Sequence, residues 1–145
     1  MRNTRARLVF PVTTGVRQKI MNKYISIQTE IGTLRGRDCI YLDEVRIQDG
    51  QNTLVLIGVI NGDLCSKQQL GVEIPYELKF TGVLALKMVE LDSWDCVSES
   101  SFDEIKNSTW LQTLDGKVKS HHRHFLIQTY DEVFEVVCCR YEFKI

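Results

Sequence analysis

VEIPYELKFTGVLALKMVEL, residues 72–91, is the stretch that decides the fold. In its first half Val72, Ile74, Tyr76, Leu78 and Phe80 alternate with Glu73, Pro75, Glu77 and Lys79. That period of two marks a half-buried β-strand. The second half, 83–91, is apolar at nearly every position, the pattern of a strand covered on both faces. Fully extended, the stretch would reach about 66 Å, too far for one straight strand in so short a chain. Thr81-Gly82 is therefore where it bends or turns. A two-residue hairpin would force positive φ on the β-branched Thr81. A glycine-centred bulge that carries one strand around a corner is the preferred reading, with a longer hairpin as the alternative.

Upstream, residues 24–31 alternate and predict a strand. Ile40, Leu42, Val45 and Ile47 are apolar with a phase slip at Asp43-Glu44, which predicts a bulge. Asp49-Gly50 then suits a tight hairpin, pairing Val45 with Leu54, Leu42 with Ile57 and Ile40 with Val59. Downstream, Ser101-Phe102-Asp103-Glu104 has the form of a capping box and predicts one short helix over about 102–112. Residues 124–129 and 133–143 return to strand patterns. Val137, Cys139, Tyr141 and Phe143 lie on one face of the last run. Short strands without alternating long helices argue against a parallel sheet. The expected fold is mainly β, an antiparallel sandwich or partly closed barrel with that one helix. Residues 1–145 read as a single all-β domain with a basic N-terminal segment, 1–20.

The net charge of -1 hides an asymmetry. Residues 1–37 carry eight basic side chains and one acidic one, Glu30, and the remainder is acidic. A basic arm on an acidic body suits self-association, although a pI of about 6.3 argues against nucleic acid as a partner. The longest apolar run, 54–60, is too short to span a bilayer, so no membrane is expected. Leu8-Val9-Phe10, cut off by Pro11, does not form the apolar core of a secretory signal. Five cysteines without such a signal point to free thiols in a reducing cytoplasm.

Three groups of residues could carry chemistry. In His121-His122-Arg123-His124, the side chains of His122 and His124 would share a strand face, the start of a metal site. A third ligand would have to come from elsewhere, with Glu135, Cys138 and Cys139 as candidates. Cys138 and Cys139 would point to opposite faces. They read as buried small hydrophobes unless His124 serves as a base. Asp92, Asp95, Glu99, Asp103 and Glu104 gather at the start of the expected helix, where the dipole favours acids. Phosphate-binding loops, C-x-x-C, H-E-x-x-H and G-x-S-x-G are all absent.

SSFD at 100–103, NSTWL at 107–111 and YDEVFEV at 130–136 resemble stretches of small uncharacterised bacterial proteins. That resemblance covers the last third of the chain and implies no activity. The leading expectation is a cytoplasmic, non-enzymatic binding or interaction protein without a cofactor, partnered by itself as a homo-oligomer or by another protein. Two alternatives stand beside it. One is a metal- or thiol-dependent small-molecule enzyme using His122 and His124. The other is a small-ligand carrier with a barrel cavity gated by the helix.

Overall fold

The computed structural model describes residues 21–48, 50, 52–90, 98–114, 116 and 118–145. The basic segment 1–20 lies outside them, as do Asp49 of the expected turn and Asp92 and Asp95 of the acidic group.

The described strands are β1 (Lys23–Ser26), β2 (Ile40–Gln48), β3 (Thr53–Asn61), β4 (Glu73–Thr81), β5 (Ala85–Glu90), β6 (Phe102–Lys106), β7 (Arg123–Gln128), β8 (Glu132–Cys138) and β9 (Arg140–Lys144). One helix, α1 (Thr109–Thr113), stands between β6 and β7. The strands form two sheets, ordered β1-β6-β7-β8-β5 and β2-β3-β4-β9. Every pairing is antiparallel, as expected of short strands joined by short connections.

The sheets stack as a sandwich and do not close into a barrel. Phe80 from one sheet meets Phe102 and Phe125 from the other, and Tyr141 packs edge-on against both of these at 5.2 and 5.1 Å. Leu54, Leu56, Leu78, Ile127, Phe134 and Val136 complete the same core. Aromatic pairs of this kind add about 0.5–1.5 kcal/mol each beyond simple burial. With the interlayer space filled by these rings, the barrel cavity expected of a ligand carrier does not form among the described residues.

Residues 72–91 turn the corner as a bulge. β4 belongs to the four-stranded sheet and β5 to the five-stranded one, so the chain changes sheets at 82–84. Gly82 takes a φ of 69°, which only glycine adopts without cost. The last run does the same, because β8 and β9 also lie in different sheets and break at Cys139. The two crossings touch. The Cys139 amide donates to the Thr81 carbonyl at 3.0 Å and the Leu84 amide to the Val137 carbonyl at 2.8 Å. A side chain on Gly82 would meet the Cys139 sulfur at 2.6 Å. Pairs run Thr81 to Arg140 on one side of the corner and Ala85 to Val137 on the other. The 72–91 segment thus spends one more residue than its partner, which is the definition of a bulge.

Four expectations are corrected. First, β5 is not covered on both faces. It is an edge strand, with Leu86 37% and Met88 63% exposed. Second, 102–112 is not a helix. Phe102 to Ile105 is a buried strand, and the polar residues that imitate a capping box bond elsewhere. The Ser101 hydroxyl donates to the Gly36 carbonyl, and Glu104 binds Arg123 and Lys106. Asn107, at φ 54°, ends the strand, and Ser108 caps a helix of little more than one turn. The acidic residues Asp103 and Glu104 therefore sit on opposite faces of β6, not at a helix start. Third, the hairpin register slips: Val45 pairs with Leu56, Leu42 with Gly58 and Ile40 with Ile60. The connection from Gln48 to Thr53 is four residues long, and Asn52 supplies the positive φ of 48° that Asp49-Gly50 was expected to provide. Fourth, the first strand is shorter than 24–31, ending at Ser26.

The bulge at Asp43 is where the phase slip places it, between the Leu42 and Glu44 pairings. It presses the Tyr41 carbonyl so close to Gly58 that a Cβ there would lie 1.9 Å away.

Candidate functional site

On the outer face of the five-stranded sheet, three buried polar side chains form a chain. The Ser108 hydroxyl oxygen lies 2.6 Å from Nδ1 of His124, and Nε2 of His124 lies 2.8 Å from Oε1 of Glu135. β7 and β8 run side by side, so His124 and Glu135 share that face by alternation. Ser108 is lowered onto them by α1, whose Leu111 amide donates to the same hydroxyl at 3.0 Å. A carboxylate can only accept, so the proton belongs on Nε2, and Nδ1 accepts from the hydroxyl. All three groups are then satisfied. Burial pushes the Glu135 carboxyl up. The hydrogen bond from His124, with the nearby Lys87 ammonium, outweighs it and leaves the group below its ordinary range. Trp110 stands edge-on to the His124 ring at 5.2 Å, and the Lys87 ammonium rests 4.1 Å from the Trp110 ring centre.

Hydroxyl, imidazole and carboxylate in series is the connectivity of an acyl-transfer nucleophile. Here Ser108 is only 4% exposed and its hydroxyl is committed to the helix cap, so a substrate carbonyl has no approach to it. The chain acts as a staple that ties α1 to β7 and β8. Ser108 carries a sequence signal of its own, an N-cap residue just before Trp110-Leu111, but the 102–112 assignment absorbed it.

The two metal candidates, His122 and His124, are set apart. His122 does not belong to β7. Its amide donates to the Lys119 carbonyl, and its Nδ1 accepts the Lys119 amide at 2.8 Å, closing a turn before the strand begins. His122 instead joins His121 and Cys139, with one donor atom from each lying within 4.8 Å of the others. Cys139 was one of the residues expected to supply a ligand from elsewhere. The ladder between β7 and β8 begins at Arg123 and Cys138, so His122 and Cys139 are the residues immediately beyond its end. Cys138 faces the core, where burial first and the neighbouring Cys139 second push its thiol up to about 12. It packs as a small hydrophobe and is not poised as a nucleophile. His124 bonds to Ser108 and Glu135 and is not its base.

Surface depressions among the described residues include two of note. A cleft of about 400 Å³ is lined by Tyr41, Asp43, Asn61, Asp63 and Glu73. Its carboxylates do not converge as a metal-binding group among the described residues. A smaller groove of about 280 Å³ lies between the two sheets, lined by Ile47, Leu54, Val83, Leu84 and Leu86. Ile47 is 63% exposed at its rim.

The fold defines the class: an antiparallel two-sheet β-sandwich. No helix among the described residues is long and apolar enough to cross a membrane. No protein-family profile matches the chain, and no curated protein matches it. Among solved structures, it is similar to the crystal structure of an uncharacterized protein from Neisseria gonorrhoeae. The identity is 12% and the TM-score 0.42, over 86% of this chain and 98% of the other.

Proposed function

We propose that the protein is a non-enzymatic interaction module that associates with a second copy of itself through the outer edge of β5. The observation that carries this reading is the contrast among the four sheet edges. Exposed edges invite pairing, and native proteins blunt them with short strands, bulges or charge. β1 is four residues long. β2 has the Asp43 bulge and an exposed Glu44–Arg46 ion pair. β9 alternates Arg140, Glu142 and Lys144 outward. β5, ALKMVE, has none of these devices along Leu86 to Val89 except Lys87, and that ammonium is drawn onto Trp110. Leu86 lines the apolar groove that Ile47 rims, and Met88 is left exposed further along the strand. The four described cysteines are free thiols, which suits work in a reducing compartment such as the cytoplasm.

Light scattering after size exclusion tests the proposal. The wild-type chain is expected at twice the monomer mass, and Met88→Lys at the monomer mass. Met88 is exposed, so that change should alter folding stability by no more than about 0.5 kcal/mol. A wild type that stays monomeric at high concentration, or a Met88→Lys variant that stays dimeric, refutes it.

A further inference from the structure

We infer that His121, His122 and Cys139 form a Zn²⁺ site at the corner where the chain changes sheets. Three features support it independently of the self-association reading. The donor atoms already lie within 4.8 Å of one another. Tetrahedral zinc with ordinary Zn–N and Zn–S bonds holds such donors about 3.4–3.6 Å apart, so a contraction of roughly an ångström closes the site. The donor types, two imidazoles and one thiolate, suit a borderline-soft ion and not Ca²⁺ or Mg²⁺.

The second feature is rigidity on one side. Cys139 is held between β8 and β9, its amide is fixed to Thr81, and its sulfur fills the space that Gly82 leaves by lacking a side chain. The thiol is therefore aimed by the corner, not by its own rotamer freedom. The third is freedom on the other side. His121 is exposed and His122 half-buried, in the turn before β7, so both rings can adjust to a metal and leave a fourth position for water.

On binding, Cys139 releases its proton to solvent and ligates as the thiolate, while His121 and His122 ligate as neutral rings. If His122 ligates through Nε2, its proton must move to Nδ1. The Lys119 amide, which now donates to Nδ1, then loses its acceptor. One backbone hydrogen bond is exchanged for three metal–ligand bonds, and the 119–122 turn is expected to change with the metal.

The test uses the full chain stripped with a chelator and titrated with Co²⁺, then with Zn²⁺ in competition. The expected result is one equivalent bound, with a near-ultraviolet thiolate-to-cobalt charge-transfer band that disappears in Cys139→Ser. His121→Ala, at an exposed position that leaves the fold unchanged, should weaken Zn²⁺ binding by at least the about 10- to 100-fold typical of lost outer-shell partners. No band at one equivalent, a band that survives Cys139→Ser, or unchanged affinity in His121→Ala would each overturn the site. None of these outcomes bears on the oligomeric state, so the two proposals fail separately.

Discussion

Ser108 does two jobs with one oxygen, and its removal exposes both. Ser108→Ala deletes the helix cap, worth about 1 kcal/mol. It also strands Nδ1 of His124, which is 1% exposed, at about 1–3 kcal/mol for a buried unpaired group. The expected loss is about 2–4 kcal/mol in urea unfolding, larger than capping alone explains. A loss no greater than that of a surface N-cap would show that His124 has another partner. His124 itself stood out in the sequence, but its role did not. A histidine on a strand announces neither which neighbour carries its carboxylate nor which helix lowers a hydroxyl onto it.

The corner is the element on which the architecture turns. Gly82→Ala combines two costs. An L-residue at φ 69° costs about 1–2 kcal/mol. Driving a methyl to 2.6 Å from the Cys139 sulfur adds about 1–3 kcal/mol of overpacking. Placed in a Cys139→Ala background, Gly82→Ala should recover much of the steric part and none of the backbone part. A double-mutant cycle then reads a coupling of about 1 kcal/mol or more. Strictly additive losses would mean that the two crossings do not press on each other. This corner was legible from Thr81-Gly82, because a β-branched residue followed by glycine speaks through local sterics. The helix at 102–112 was misplaced for the opposite reason. Ser101 and Glu104 have the right spacing for a cap. Phe102 wins more by entering the aromatic core than a capping box returns, and Arg123, far along the chain, takes the glutamate.

At the scale of the whole molecule, stability should fall in acid. The hydrogen bonds from Arg123 hold Glu104 below its ordinary range, with burial opposing them and Lys106 helping, and Glu135 is held low by His124 and Lys87 against its burial. A carboxyl depressed on folding contributes stability above its unfolded value, about 4.3, and loses it as pH drops through the lower folded value. Asp103 runs the other way. It is fully buried, and neither oxygen makes a hydrogen bond to a described group. Burial pushes it up, and the nearby Ser98, Ser100 and Ser26 hydroxyls only partly offset this. Its penalty is therefore present at neutral pH and lifts as the medium becomes acidic enough to protonate it. Asp103→Asn is expected to raise the urea midpoint at neutral pH and to steepen the decline towards acid. A variant with the wild-type midpoint and slope would count against this assignment.

Local chemistry was enough to establish that the chain is mainly β, where it bulges at Asp43, and that it bends at Gly82. Period-two alternation, strand-breaking pairs and a glycine's φ are properties of neighbouring residues, and they survive being read without coordinates. Strand order is not such a property. It left β5 at an edge although its side chains suited the interior. It joined Ser108 to Glu135 through one imidazole and brought Cys139 beside His121. Each of those outcomes depends on which distant segments lie next to each other, and that is settled by how the two sheets share one core.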